Sequence, residues 1–216
     1  MRFISGLTAC LLTMGVALSG TTAPAQAAAC PDVELIFARG TSEPAGIGRV
    51  GQALYDQLAG SLSGRTLGAY AVNYPASYDF LAAADGANDA TNRIAQLAET
   101  CPNTRFVLGG YSQGAAVVDM LLGIPPLGNK VGEVGSAPPM PQSLASRVAA
   151  VAVFGNPSTK FGLPVSTAME PFTGKGIDLC ANGDPICSQG RNPFAHTSYE
   201  KTDMVDQAAG FVSNLL

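Results

Sequence analysis

Ser112 stands in a pattern that could make it a nucleophile, Gly110-Tyr111-Ser112-Gln113-Gly114. The pattern follows an apolar run at 106–108 and precedes a segment of helical character at 115–122. In so sharp a turn, a side chain two residues before or after the serine would collide with its neighbours, so glycine occupies both positions. The serine would then project at a helix N-terminus, where free backbone N–H groups stabilise a developing anion. The pattern predicts nucleophilic catalysis, although a chain with 25 glycines could contain it by chance.

His196 is the only histidine of the chain and therefore the natural candidate for the base that a serine nucleophile needs. A lone histidine is more often a surface or structural residue than a catalytic one. Its position favours catalysis, because it follows Ser112 in the chain and precedes a predicted C-terminal helix at 201–216. In α/β-hydrolases the order is serine, then an acid, then a histidine in a loop near the C-terminus. The order predicts that Ser112 and His196 act together.

Asp184 is the candidate for the acid. It follows the last predicted strand and lies between Cys180 and Cys187, so a disulfide there would hold the carboxylate rigidly toward the imidazole. Asp178 is the nearest rival, but it falls inside the predicted strand. Two further aspartates come only after the histidine, Asp203 and Asp206. The alternative for Asp184 is an Asp-Pro turn with no other role.

Short apolar runs recur along the chain, and residues at helical spacing fill the gaps between them. The runs lie at 33–38, 69–72, 106–108, 148–154 and 177–179. Helical spacing of apolar residues follows at 47–62, 90–98 and 204–215. Strands without polar alternation, separated by helices, imply a parallel sheet that helices cover on both faces. We therefore expect a five-stranded, three-layer α/β domain with no internal repeat and no second domain.

Residues 1–29 differ in composition from the rest of the chain. Arg2 is the only charge ahead of Asp32, residues 3–18 are largely apolar, and Ala25-Gln26-Ala27 has the small-x-small form of a cleavage site. These features predict a secretory signal peptide, cut near residues 27–29, and a mature domain at 30–216. A transmembrane anchor is less favoured, because the apolar stretch is short. A lipoprotein cleavage box ending at Cys10 would leave almost no hydrophobic region.

The mature domain would be acidic and sparsely charged. Without Arg2, 11 of the 12 basic residues face 16 acidic ones, which gives a net charge of about −5. No cluster of Lys and Arg occurs, and basic and aromatic residues do not interleave. We therefore expect no nucleic-acid partner. We also expect no transmembrane span in the mature protein.

Four cysteines would remain once Cys10 leaves with the signal peptide: Cys30, Cys101, Cys180 and Cys187. An even number in an exported protein indicates two disulfides. Three pairings are open, and we favour Cys180–Cys187 as a short clamp with Cys30–Cys101 as a long tie. Zinc binding is the alternative, but no C-x-x-C spacing supports a metal site.

The segment 123–142 interrupts the regular pattern with five prolines and four glycines. Such a composition predicts a long irregular loop. A loop of this length is usually functional or poorly ordered. We favour a surface excursion over a flap that faces the substrate.

Three ordered motifs and the four cysteines resemble the cutinase family. The motifs are Leu35-Ile36-Phe37-Ala38-Arg39-Gly40-Thr41-Ser42-Glu43, Gly110-Tyr111-Ser112-Gln113-Gly114 and Asp184-Pro185-Ile186-Cys187. The stretch 70–76, YAVNYPA, looks most like the actinobacterial cutinase-like esterases. The resemblance implies an α/β-hydrolase fold without a separate lid domain and the triad Ser112, Asp184 and His196. It also implies the disulfides Cys30–Cys101 and Cys180–Cys187.

The same resemblance implies an oxyanion hole formed by the backbone N–H of Gln113 and by Thr41, the residue after Arg39-Gly40. Many fungal cutinases have serine at that position. A threonine hydroxyl can donate the same hydrogen bond, although its methyl group restricts the rotamer. The alternative role for Thr41 and Ser42 is to cap the following helix. The longer proline-rich segment is a second departure from the fungal enzymes and puts a shared substrate in doubt.

These observations predict a secreted serine esterase that hydrolyses fatty-acyl or other carboxylic esters through an acyl-serine intermediate, without a metal or organic cofactor. We expect a monomer that is either free outside the cell or retained at the cell envelope. Four side chains could form apolar walls for the acyl chain, or could belong to a satellite core: Tyr78, Phe80, Ile186 and Phe194. The competing functions are an acyltransferase or phospholipase A with the same triad, and a catalytically inactive lipid-binding surface protein.

Overall fold

The computed structural model describes residues 30–127 and 135–216 of the protein. The predicted signal peptide, 1–29, and part of the proline-rich segment, 128–134, lie outside the described residues. Five strands form one sheet: β1 Val33–Ala38, β2 Leu67–Ala71, β3 Arg105–Tyr111, β4 Val148–Phe154 and β5 Gly176–Leu179. All neighbouring strands run parallel, in the order β2-β1-β3-β4-β5.

Helices cover the sheet on both faces. Helix α1 (Gly48–Ser61) and helix α6 (Met204–Leu215) pack on one face, and helix α2 (Ala83–Thr100) and helix α3 (Gln113–Leu121) pack on the other. Two short helices complete the set, α4 (Gln142–Ala145) and α5 (Pro193–His196). The five-stranded, three-layer fold predicted from the sequence is confirmed, and the described residues contain no separate lid domain.

The sheet separates two apolar cores, and β1 contributes to both. Leu35 and Phe37 pack on the α1–α6 side, whereas Ile36 and Ala38 pack on the α2–α3 side. Every residue of β1 and β4 is buried. Burial on both faces explains why the central strands read as continuous apolar runs and lack alternation.

Both favoured disulfides are present. Cys30–Cys101 links the residues before β1 to the end of α2, and Cys180–Cys187 closes a short loop after β5. Across the described ranges, no helix is both long enough and apolar enough to cross a membrane.

Some boundaries differ from the predicted ones. Helix α3 begins at Gln113, directly after the serine, and β2 begins at Leu67 although its half-buried residues do not form a strong apolar run. The predicted helix at 201–216 is shorter, because a 3₁₀ turn, Tyr199–Lys201, precedes α6. The segment 123–142 is irregular where described until α4 begins at Gln142.

The described ends of the proline-rich segment pack onto the protein. The buried Met140 donates its N–H to Leu121 O, at the end of α3, at 2.9 Å. A Cβ at Gly135 would lie 2.3 Å from Leu81 O, just ahead of α2. Partly buried Leu127 and Ala137 pack against the core on the α2–α3 side. The described parts of the segment, 123–127 and 135–142, therefore pack on this side of the sheet.

Candidate active site

Ser112 occupies a strained turn between β3 and α3. Its φ of 57° and ψ of −117° lie in a region that non-glycine residues rarely adopt. A Cβ at Gly110 would lie 2.3 Å from Gly114 O, and a Cβ at Gly114 would lie 1.9 Å from Ala38 O. Both positions therefore require glycine, as the sequence pattern predicted. Ser112 N donates to Phe154 O at 2.9 Å, so the turn is tied to β4.

The Ser112, His196 and Asp184 side chains, here called the candidate triad, form one chain of hydrogen bonds. His196 Nε2 lies 2.8 Å from Ser112 Oγ, and His196 Nδ1 lies 2.7 Å from Asp184 Oδ2. An ionised carboxylate can only accept, so Nδ1 carries a proton and donates it to Asp184. Nε2 is then free to accept from the serine hydroxyl. This tautomer suits a base that removes the serine proton.

Asp184 is fully buried and held as an acceptor by three donors. His196 Nδ1 and the Tyr199 hydroxyl both contact Oδ2, the latter at 2.6 Å, and Ile186 N donates to Oδ1 at 2.7 Å. Burial alone would raise the pKa of Asp184. The hydrogen bonds from His196, Tyr199 and Ile186, together with the His196 charge, outweigh burial and lower this pKa below its ordinary value.

His196 is the last residue of α5 and does not lie in an irregular loop as expected. The helix begins with Pro193, and the Asn192 side chain accepts from Phe194 N at 3.1 Å. This pairing of an asparagine cap with a proline starts a helix turn even in so short a segment. The turn places the imidazole over Tyr111, whose ring centroid lies 5.2 Å away and whose hydroxyl donates to His196 O at 2.5 Å.

Gly155 forms the surface behind the His196–Asp184 pair. It follows β4 with a φ of 58°. A Cβ at this position would lie 2.8 Å from His196 Cε1 and 3.2 Å from Asp184 Oδ2. Any side chain would therefore displace the pair, so this position requires glycine on two grounds. The sequence signal for it was only a glycine directly after an apolar strand.

Thr41 and Gln113, the predicted oxyanion-hole residues, are in contact. Thr41 Oγ1 donates to Gln113 Oε1 at 3.1 Å. Gln113 is the first residue of α3 and is buried, and its Nε2 has no hydrogen-bond partner within the described ranges. The backbone N–H of Gln113 lies at the N-terminus of a nine-residue helix, where donors are unpaired and the dipole favours an anion.

Arg39 and Glu43 hold the loop that carries Thr41, and neither was predicted as a site residue. The buried Arg39 guanidinium donates to Glu43 O at 3.0 Å and to Tyr74 O at 2.6 Å. Glu43 Oε2 accepts from Gly40 N at 2.7 Å. Charged residues after a buried strand were a usable signal. The contacts of Glu43 with Arg39 and Gly40 are local, whereas the contact of Arg39 with Tyr74 O spans 35 residues and could not be indicated by a local pattern.

The four predicted apolar-wall residues are exposed to different degrees. The exposed fractions are 78% for Tyr78, 40% for Phe80, 36% for Ile186 and 79% for Phe194. Ile186 and Phe194 belong to the segments that carry Asp184 and His196. Tyr78 and Phe80 pair edge to face, with ring centroids 6.2 Å apart, in the loop after β2. In the described chain, no three His, Cys, Asp or Glu side chains are grouped as metal ligands.

A family model described as Cutinase matches residues 29–216. The chain belongs to the cutinase family. Among curated relatives, Phospholipase Culp4 of Mycobacterium tuberculosis is 47% identical over 213 residues, which cover 99% of this chain and 91% of that protein. Carboxylesterase Culp1 of Mycobacterium bovis is 42% identical over 223 residues, which cover 100% of this chain and 95% of that protein.

A solved cutinase shares this fold. Trichoderma reesei cutinase in complex with a phosphonate inhibitor gives a TM-score of 0.66 at 35% identity, covering 86% of this chain and 77% of that chain. The cutinase resemblance drawn from the three motifs is therefore confirmed. The fold and the family are those of carboxylic ester hydrolases.

Proposed function

We propose that this cutinase-family chain is a secreted serine esterase that hydrolyses fatty-acyl esters through an acyl-serine intermediate. The observation that carries the proposal is the hydrogen-bond chain from Ser112 Oγ through His196 to the buried Asp184. A strained serine at a helix N-terminus, a base within 2.8 Å and a buried acid behind that base are the parts that acyl transfer needs.

In the acylation step, Ser112 Oγ attacks the ester carbonyl carbon while its proton passes to His196 Nε2. Asp184 keeps Nδ1 protonated and stabilises the imidazolium that forms. The tetrahedral intermediate then collapses, the bond to the alcohol breaks, and the alcohol takes the proton from Nε2. In deacylation, water takes the place of the alcohol and the same steps run in reverse order, so that Ser112 Oγ is the group released. The side chains supply every proton acceptor, so no cofactor is required.

The negative charge of the tetrahedral intermediate would develop beside the N-terminus of α3. The backbone N–H groups of Gln113 and Thr41 and the Thr41 hydroxyl are the proposed donors. Without substrate, the Thr41 hydroxyl donates to Gln113 Oε1. Its proton must turn toward the oxyanion when charge develops, which makes this an interaction of the transition state more than of the bound ester.

Exposed apolar side chains support a fatty-acyl substrate. Tyr78, Phe80, Ile186 and Phe194 present large apolar surfaces on segments that adjoin the candidate triad or follow β2. Secretion is supported by two disulfides, which persist in oxidising compartments, and by the composition of residues 1–29. The monomeric state and the lack of a nucleic-acid partner stay predictions from the sequence.

Phospholipase A activity is the second candidate function. It is favoured by one observation, the 47% identity to a relative named Phospholipase Culp4. A phospholipase would use the same three side chains on an ester in a glycerophospholipid. An acyltransferase would differ only in the acceptor, an alcohol in place of water.

One substrate panel tests these proposals. It contains p-nitrophenyl esters of graded chain length, a phospholipid and a cutin-like polyester, with and without an added alcohol acceptor. We expect turnover of medium or long acyl esters and covalent labelling of Ser112 by a fluorophosphonate. Labelling or hydrolysis that persists in Ser112→Ala protein would contradict the serine mechanism. Lipid binding without any turnover would support the inactive-surface-protein alternative.

A further inference from the structure

The Tyr199 hydroxyl donates to the same carboxylate oxygen that His196 contacts. Tyr199 Oη lies 2.6 Å from Asp184 Oδ2, and His196 Nδ1 lies 2.7 Å from that oxygen. We propose that Tyr199 is a positioning residue that sets the basicity of His196 through Asp184. The inference rests on the proposed triad and adds to it a residue that reaches neither the serine nor the ester.

The direction of the Tyr199 hydrogen bond is fixed by its surroundings. Ala181 N donates to Tyr199 Oη at 2.9 Å, so the phenol proton points toward Asp184. The side chain is fully buried. Burial, followed by the hydrogen bond to Asp184, raises the pKa of Tyr199 far above its ordinary value, so the phenol remains a donor at all relevant pH values. Cys187 Sγ lies 3.5 Å from the same hydroxyl.

The hydroxyl therefore joins the start of the loop to the carboxylate through two hydrogen bonds, one from Ala181 N and one to Asp184 Oδ2. Cys187 Sγ is bonded to Cys180 and carries no proton, so its approach to the hydroxyl is a packing contact near the other end of the loop. Asp184 lies in the middle of that loop. A side chain needed only for packing would not require its single polar atom to bond both the loop backbone and the acid.

Few other titratable groups face Tyr199. Its ring packs edge-on against Tyr111, Phe154 and His196, with centroids 5.8, 5.9 and 6.3 Å away. Burial raises the pKa of Tyr111 to about 12, so it stays neutral over the working range. Farther out, Arg49 forms ion pairs with Glu43 and Glu200, and these charges act on Tyr111. Within the described residues, His196 and Asp184 are therefore the groups through which Tyr199 can influence catalysis.

Two donors on one carboxylate oxygen share its negative charge. When the Tyr199 donor is removed, more of that charge acts on the imidazolium, which favours the protonated ring. The pKa of His196 should therefore rise. The fraction of neutral base should fall at any pH below the new pKa, and the acid limb of the kcat/KM profile should move to higher pH.

The test uses the single histidine of the chain. Protein labelled with ¹⁵N-histidine gives one imidazole, that of His196, so its titration can be followed without assignment by mutation. In Tyr199→Phe protein we expect the imidazole signal to titrate at higher pH than in wild type, and the acid limb of kcat/KM to move by the same amount. Tyr70→Phe is the matched control, because Tyr70 on β2 likewise donates its phenol proton to a carboxylate, that of Asp89 on α2.

An unchanged His196 titration in folded Tyr199→Phe protein would overturn the inference and leave Tyr199 a packing residue. Equal shifts in both tyrosine variants would overturn it as well. If Tyr199→Phe does not fold, ¹³Cζ-tyrosine wild-type protein serves instead. Tyr111→Phe removes the signal of the other tyrosine near His196. In that protein one remaining signal, that of Tyr199, should titrate in step with His196. If no tyrosine signal does so, the inference is overturned. These titrations need no substrate, so failure of the proposed function appears separately as absent ester turnover in wild type.

Discussion

At the scale of single residues, the Ser112 hydroxyl is a weak nucleophile until a base removes its proton. His196 Nε2, at 2.8 Å, is placed to do so. Ser112→Ala or His196→Ala should each lower kcat by about 10⁴-fold or more, and the double variant should be little worse, because the two side chains act in one proton transfer. Single-turnover and steady-state assays on a p-nitrophenyl ester measure this. Single variants that keep a tenth of wild-type kcat would contradict the assignment.

Thr41 offers a second test at this scale. Thr41→Ser keeps the hydroxyl and should stay within a few-fold of wild type. Thr41→Val keeps the branched shape and the backbone N–H but removes the hydroxyl donor. Its kcat should fall by roughly 10²-fold, the usual cost of losing one oxyanion donor, while KM changes little.

Loss of the hydrogen bond from Thr41 to Gln113 is a second explanation for a lower kcat in Thr41→Val. Thr41→Val also removes the contact to Gln113 Oε1 and could lower stability. Thermal unfolding of both variants separates the two effects, since a loss of kcat at unchanged melting temperature points to catalysis. Wild-type kcat in Thr41→Val, with kcat lost in Thr41→Ser, would assign Thr41 a packing role instead; it does not cap α1, whose N-cap is Ile47.

At the scale of elements, the loop closed by Cys180–Cys187 decides where Asp184 points. Replacing both cysteines by serine should lower kcat by about 10²-fold while the protein stays folded, because a displacement of about 1 Å in a catalytic group costs on that order. Activity and far-ultraviolet circular dichroism, recorded together during graded reduction of wild type, give the same test. Activity that survives until the protein unfolds would contradict the positioning role.

The other disulfide is the control for that experiment. Cys30–Cys101 links segments at the opposite edge of the sheet from Ser112. Replacing this pair by serine should remove up to about 4 kcal/mol of stability in the chain-entropy view. The kcat of the folded fraction should stay near wild type.

Helix α3 carries a buried acid, Asp119, that the proposed mechanism does not use. Asn156 Nδ2 donates to its Oδ1 at 3.0 Å, and Oδ2 has no partner among the described residues. Burial raises the pKa of Asp119 well above 3.8, so the native carboxyl keeps its proton while the unfolded chain ionises. The native state then binds the extra proton. Stability should fall as pH rises between the two pKa values, by at most about 1.4 kcal/mol per pH unit.

Asp119→Asn removes that titration and keeps an acceptor for Asn156. Measured by urea denaturation, the free energy of unfolding of Asp119→Asn should therefore increase steadily relative to that of wild type from pH 4 to pH 7. Asp206→Asn is the matched control, because Asp206 is exposed on α6. If the difference between Asp119→Asn and wild type stays constant over this pH range, Asp119 is ionised in the native state and the prediction fails.

At the scale of the whole molecule, the sheet was predictable because its central strands are buried on both faces. Short continuous apolar runs such as 33–38 and 148–154 are typical of strands buried on both faces, and their bounds match β1 and β4. The half-buried edge strand β2 was placed less well. The glycines of the Ser112 turn were predicted from their spacing; Gly110 is required by crowding against Gly114 within the turn, whereas Gly114 is required by the close approach of Ala38 O at the end of β1.

The parts that escaped prediction depend on contacts between distant segments. Tyr199 reads as one aromatic residue ahead of a helix, yet its hydroxyl meets Asp184 and Ala181. Arg39 meets the carbonyls of the 72–75 loop, and Gly155 faces the imidazole. Neither periodicity nor spacing carries this information, because it depends on where parallel strands bring their ends together.

The two edges of the parallel sheet carry different parts of the molecule. Ser112, Gly155 and Asp184 follow the carboxyl ends of their strands, whereas Cys30 precedes β1. Helix α6 runs back toward the Cys30 edge, where Ser213 Oγ lies 3.0 Å from Ser61 Oγ at the end of α1. A linker attached at Leu216 would therefore fix the protein to a bead or an electrode with Ser112 facing away from the support. Immobilised in this orientation, the enzyme should reach insoluble esters that the reverse orientation would shield.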